Sequence, residues 1–240
     1  MPPRSARPKT RNGRPAVQPR DPERTRAAIL DAATAEITRK GLNGCRVDAI
    51  AARAGVNKRM IYHYFGDKAG LYLAVLETTY AAIRHAEIGL KLTDKDPAEA
   101  MRELVRFTWN YFIRHPEFLS LLATENLHRA VHLKRSRRIR DLHSPLIGMI
   151  SDLLARGAAA GAFRPRVDPV QLYISIAALG FFYMSNRFTL STIFGRDLGS
   201  APELVRREAH IVEMVLAYLA RGAEGPAARS LDRAPAGVHL

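Results

Sequence analysis

The chain has 240 residues, 47% of them hydrophobic and 25% charged, which is enough apolar material for a sizeable core and rules out wholesale disorder. A single cysteine, Cys45, excludes a disulfide framework and a multi-thiolate zinc site, and points to a cytosolic protein. The net charge of +14 is uneven, with 15 basic and 6 acidic residues up to Lys68 and 22 and 17 beyond, so a polyanion partner is expected, nucleic acid before membrane.

Residues 1–20 are rich in Pro and Arg and lack an apolar core, so they read as an unstructured basic arm and not as a signal peptide. No uninterrupted apolar stretch approaches about 18 residues, which excludes a membrane span. Asp21-Pro22, Asp96-Pro97 and Asp168-Pro169 each place an acceptor before a Pro suited to the first helical position. Asp96 and Glu99, Asp168 and Gln171, and Ser200 and Glu203 have capping-box spacing. Apolar residues recur every three or four positions and no segment alternates with period two, so the fold class is all-α. Helices are predicted near 22–40, 47–54, 58–65, 67–91, 97–115, 117–133, 137–160, 168–188 and 202–221. Residues 170–184 are apolar nearly all round, which requires burial on every side, and the second side is most simply another subunit. Residues 222–240, rich in Gly, Ala and Pro, read as an unstructured tail.

The stretch 47–65, VDAIAARAGVNKRMIYHYF, carries the functional signal. A short helix turns Ile50 and Ala51 inward and ends at Gly55, Val56 packs under the turn, and Asn57 caps a second short helix whose inward residues are Ile61 and Phe65. Two short helices joined by Ala-Gly-Val form a helix-turn-helix, whose second helix enters the DNA major groove. Lys58, Arg59, Tyr62 and His63 face outward and can bond phosphate or base edges. The bland alternative is a pair of core helices with a solvated face.

Residues 24–75 resemble the tetracycline-repressor (TetR-type) family of transcriptional regulators. The resemblance rests on Ile29-Leu-Asp-Ala-Ala33, Gly41-Leu42, Ile50-Ala51 with Ala54-Gly55-Val56, Tyr62-x-Tyr64-Phe65 and Lys68-x-x-Leu71. It implies an N-terminal three-helix DNA-binding unit, residues 21–66, and a larger helical effector-binding and dimerisation domain, residues 67–221, coupled through the fourth helix. It also implies contacts to double-stranded DNA at Asn57, Lys58, Arg59, Tyr62, His63, Tyr64 and Lys68. Cys45 and Arg46 stand where the family usually has Thr or Ser, so a hydroxyl cap is lost and Arg46 becomes a candidate phosphate contact. Arg59 occupies a place often held by a small residue and is the candidate base reader, since guanidinium pairs bidentately with guanine. Arg11-Asn-Gly-Arg-Pro15 resembles a minor-groove hook; a solvated basic tail is the other reading.

In the larger domain, Trp109, Phe112, Asn126, Arg129, Tyr183 and Asn186 are the expected pocket, because polar groups continue apolar helical stripes there. Such a lining suits a small aromatic or heterocyclic acid as effector. The competing reading is an internal Glu125–Arg129 ion pair. Glu125, His128 and His132 have metal-ligand spacing, but they drift around the helix, and neither a metal nor a cofactor is expected. Lys134, Arg135, Arg137, Arg138 and Arg140 read as a solvated segment between helices. The expected function is a homodimeric, ligand-responsive repressor released from a roughly palindromic operator by a small molecule. The alternative is an α-helical enzyme with an accessory helix-turn-helix, but no phosphate loop, nucleophile elbow or paired zinc motif supports it, so no enzymatic activity is expected.

Overall fold

A computed structural model describes residues 21–220, apart from the side chains of residues 140 and 142–144; the basic arm, the Arg11–Pro15 hook and the C-terminal tail lie outside the described residues. The described residues are helical, without strands. Three short-range helices come first: α1 (Pro22–Gly44), α2 (Val47–Ala54) and α3 (Lys58–Phe65). A long α4 (Lys68–Ile88) leads into α5 (Pro97–Arg114), α6 (Pro116–Leu127), α7 (Arg137–Ala159), α8 (Pro169–Phe194) and α9 (Ala201–Leu219). None of them is long and apolar enough to cross a membrane.

The helix starts follow from side-chain chemistry. The carboxylates of Asp21, Asp96 and Asp168 accept from two backbone N–H groups each, and a Pro follows every one of them. The Ser200–Glu203 capping box does not form. The Ser200 hydroxyl donates to the Asp197 carbonyl at 2.8 Å, while Glu203 is drawn to Arg196 at 2.7 Å and to Arg206. Ser136, unread as a cap in the sequence, accepts from Ile139 N at 3.2 Å and donates to Glu77 of α4 at 2.7 Å, which pins the start of α7.

Two boundaries depart from the expected ones, each for a local reason. The expected helix 117–133 stops at Leu127, because Glu125 is buried and the chain folds back to supply it with donors. Arg129 and Ala130 adopt φ of 55° and 57°, and His132 then donates both its backbone N and its Nδ1 to Glu125 Oε1, at 3.3 and 3.2 Å. The expected helix 168–188 runs on to Phe194. Its polar residues bond back along the helix, Asn186 to the Phe182 carbonyl at 2.8 Å and Thr192 to that of Phe188 at 3.0 Å, and Gly195 ends it at φ 61°.

Packing ties the parts together through α4. Its first half lies on α1 and α3, and it also packs on α7; α6 in turn rests on α1. The α5 helix lies against α7, α8 and α9, with Met101, Leu104, Trp109 and Phe112 in the core. Near the end of α7, Gly157 lies under the buried Phe163 ring, and a Cβ at that position would overlap it. Gly157→Ala should therefore lower the unfolding free energy by about 1–3 kcal/mol, the cost of overpacking a closed site, as measured by chemical denaturation.

Candidate nucleic-acid interface and the expected pocket

The α2–α3 unit is held by backbone geometry first. Gly55 sits at φ 65°, ψ 31°, the left-handed region that a side chain disfavours, and its N–H reaches the Ala51 and Ala52 carbonyls. Val56 N bonds back to the Ala51 carbonyl at 3.0 Å, and Ile50, Ala51 and Ile61 close the small core beneath. Asn57 Oδ1 accepts from Arg59 N at 2.9 Å and so starts α3. The apolar side of α3 therefore faces α4 and α2, and its other side is set outward.

That outward side presents Lys58, Arg59, Tyr62 and His63, all exposed. Arg46 is exposed at the start of α2 and Lys68 is half-buried at the start of α4, its ammonium 3.5 Å from the Asn43 carbonyl. Asn57 spends its oxygen on the cap. Tyr64 is half-buried, edge-on to His63 at 5.3 Å and packed against the core, so it supports the helix more than it faces outward. One member was missed in the sequence: Asp48 of α2 holds the Lys58 ammonium at 2.8 Å, and this bond raises the Lys58 pKa above its ordinary value. Only the turn brings the starts of both helices together; spacing along the chain does not show it. Cys45 is buried and desolvation pushes its thiol pKa up, which makes it an inert core residue. Glu36, buried in α1, is bracketed by Lys40 at 2.6 Å and Arg39 at 2.9 Å, and these bonds hold its carboxyl below the usual range.

The expected pocket does not assemble. Trp109, Phe112 and Tyr183 do meet, between α5 and α8, as packed rings, and Tyr183 also borders a cavity of about 580 Å³ between α8 and α9 that includes none of the other five. The Trp109 and Tyr183 rings stand edge to face at 5.5 Å, Phe112 lies against Gly180, and the Tyr183 hydroxyl donates to the Leu198 carbonyl at 3.0 Å. Asn186 is a turn further along, its amide used by the Phe182 carbonyl. Arg129 is exposed because α6 ends before it can continue the face of Leu121, and Asn126, in the last turn of α6, is exposed on the side away from Leu121 and Glu125. The alternative Glu125–Arg129 pair does not form either, since His132 takes Glu125. His128 Nδ1 bonds to the Thr124 carbonyl at 2.8 Å, and among the described residues no group of three side chains is arranged to hold a metal.

Comparison with known proteins agrees with this architecture. Residues 29–75 match the model for bacterial regulatory proteins of the tetR family, and residues 97–215 match the tetracyclin repressor-like C-terminal domain. The HTH-type transcriptional repressor NicS of Pseudomonas putida is 43% identical over 182 residues, covering 76% of this chain and 86% of that protein. The HTH-type transcriptional repressor SCO4008 of Streptomyces coelicolor is 32% identical over 160 residues, covering 66% and 79%. Among solved structures, SCO4942 of Streptomyces coelicolor aligns with a TM-score of 0.61 at 25% identity, over 81% of this chain and 98% of that one. The ketosteroid transcriptional regulator KstR2 of Mycobacterium tuberculosis shares the fold, with a TM-score of 0.61 at 20% identity over 87% and 100%.

The cap of α2 gives a direct test of the local physics. Arg46 occupies that position without a side-chain hydrogen bond, leaving the first N–H groups of α2 uncapped. Arg46→Ser should supply the missing acceptor and raise stability by about 0.5–1 kcal/mol in thermal or chemical unfolding.

Proposed function

The chain belongs to the TetR family of DNA-binding transcriptional regulators, and from that premise we propose that it is a homodimeric repressor, released from a roughly palindromic operator when a small molecule enters its C-terminal domain. The observation that carries the reading is the two-sided character of α8. Leu172, Ile176, Gly180, Tyr183 and Met184 face the core, while Val170, Ile174, Phe182, Phe188 and Ile193 lie exposed on the opposite side. Phe188 alone is 73% exposed. An apolar helical face of this extent is costly in water and suits a second copy of the chain. Two copies related by a two-fold axis carry two α3 helices, which matches an operator with half-sites about 34–36 Å apart, one turn of DNA.

Within each half-site, Arg59 suits base reading and Tyr62 suits phosphate positioning, with Arg46, Lys58 and Lys68 adding cationic contacts. Lys58 reaches phosphate only by sharing or leaving Asp48, so its contribution is smaller than its position on α3 suggests. Arg59→Ala should cost about 1–3 kcal/mol and relax preference at one base pair, while Tyr62→Phe should weaken all sequences alike. Gel shifts against operator variants, using DNA upstream of the chain's own gene at several salt concentrations, separate the two; equal, sequence-blind losses would make Arg59 a phosphate contact.

Dimerisation and DNA binding should fail together. Phe182→Glu places a charge on the exposed apolar face of α8 and should halve the mass seen by light scattering at micromolar concentration. Operator affinity should fall at least about tenfold, or ~1.4 kcal/mol, as the second reading helix is lost. A wild-type chain that is monomeric at that concentration would overturn the reading.

A further inference from the structure

Among the described residues of the C-terminal domain, buried polar atoms without a hydrogen-bond partner occur on α4, α6, α7 and α9, and they are densest at Arg84 and Glu87 of α4, away from the expected pocket. Arg84 and Glu87 lie one turn apart, 2% and 1% exposed. Arg84 Nη2 donates to the Tyr173 hydroxyl of α8 at 3.1 Å, and its Nη1 stands 2.9 Å from Glu87 Oε2. The pair is close but out of line. Arg84 Nε and Nη1 and Glu87 Oε2 have no hydrogen-bond partner, a costly state for buried polar atoms. Arg156 of α7 is better supplied, with Nη1 and Nη2 donating to the Lys95 and Leu92 carbonyls at 2.9 and 2.8 Å. Arg84 and Glu87 border a cavity of about 220 Å³, whose apolar walls come from Ile88, Leu92, Leu146 and Met149. Pro145, which breaks the α7 hydrogen-bond ladder, lies between this cavity and an adjoining recess of about 330 Å³.

We propose that this cavity is the effector site and takes a small, uncharged ring carrying a carboxamide or lactam edge. The carbonyl accepts from Arg84, the adjacent N–H donates to Glu87, and the ring lies between Ile88 and the α7 wall. Charge and hydrogen-bond complementarity select this class. With Glu87 ionised, Arg84 and Glu87 together are neutral, so a charged ligand would bring an uncompensated charge into a buried site, whereas donors beside an acceptor match an amide edge. An apolar cavity of about 150 Å³ takes up benzene, so the volume suffices for a substituted ring. This replaces the expected aromatic acid, whose cationic partner, Arg129, lies exposed. The proposal rests on the effector-responsive reading above.

Burial also gives the site a proton signature. Desolvation pushes Glu87 up to about 7, against the opposing pull of Arg84. Among the described residues, the other titratable groups around the pair are Lys91 on the cavity wall, Tyr80 on α4, Tyr111 on α5 and Tyr173 on α8; burial raises Tyr80 and Tyr111 to about 12, so both stay neutral. A ligand that donates to the Glu87 carboxylate therefore releases protons on binding near neutral pH. A carboxylate ligand at Arg84 would take them up.

Calorimetry on the full chain, with benzamide and benzoate as probes in two buffers of different ionisation enthalpy, tests this. Benzamide should bind at millimolar concentration with proton release, and benzoate at least tenfold more weakly. Glu87→Gln leaves the Arg84 charge uncompensated and should invert that preference, a change that a purely structural pair would not produce. The double exchange Arg84→Met with Glu87→Leu removes both charges together, so it avoids an unpaired buried ion, and should weaken benzamide at least tenfold. Undiminished benzamide binding by the double variant, proton uptake with benzoate preferred by the wild type, or no saturable benzamide binding would each overturn the proposal. A chain that takes up benzamide through this pair but shows no specific DNA binding would overturn the regulator reading and leave the site standing.

Discussion

A single rod belongs to two cores. The 21 residues of α4 span roughly 30 Å at 1.5 Å per residue, and a hydrogen-bonded helix of that length moves as a unit. Near its start, Leu71, Tyr72, Val75 and Leu76 are buried where it packs on α1, α3 and α6; towards its end, Ile83, Arg84 and Glu87 are buried where it packs on α7. Any rearrangement around Arg84 and Glu87 has to be accommodated by the helix on which the outward α3 rests. Close-packed cores do not absorb such shifts gradually, which is what makes a two-state response physically available.

The reading surface is built with little charge to spare on its supporting side. Asn57 spends its side-chain oxygen on the cap, Asp48 engages Lys58, and Tyr64 is drawn into the core, so Arg59, Tyr62 and His63 are the least committed outward groups of α3. The scaffold that sets them relies on Gly55 in a left-handed conformation and on Asp67, whose carboxylate accepts from Gly70 N at 2.6 Å to start α4. Gly70 is small because a Cβ there would overlap the Phe65 carbonyl. The short turn between α3 and α4 is thus sterically closed, and the orientation of α3 on α4 follows from it.

Apolar periodicity, Asp-Pro starts and the Ala-Gly-Val turn were enough to place the helices and the helix-turn-helix, because these signals act within a few residues of one another. The two-sided apolar character of α8 was also legible, since a helix without a polar face has to find two partners. Polar residues on apolar stripes were less legible. Arg129 continues the face of Leu121 only if α6 continues, and the buried Glu125 ends it by drawing His132 back, while Asn126 lies inside α6 on its exposed side. Trp109, Phe112 and Tyr183 do converge, but aromatic residues that converge can fill a space as readily as line one.

The sequence by itself therefore determined the fold class, the helix-turn-helix and the all-round apolar character of α8, all of them consequences of short-range pattern and composition, while burial in the structure shows which side of α8 is left exposed. Only the tertiary structure decided which polar groups are left without partners. Arg84 and Glu87 read along the chain as an ordinary i,i+3 pair on an amphipathic helix, worth a few tenths of a kcal/mol in water, about 0.2–0.5. Their burial against α7 and Tyr173 depends on residues about 60 to 90 positions away, and burial is what turns an unremarkable surface pair into unsatisfied donors and an acceptor beside a cavity.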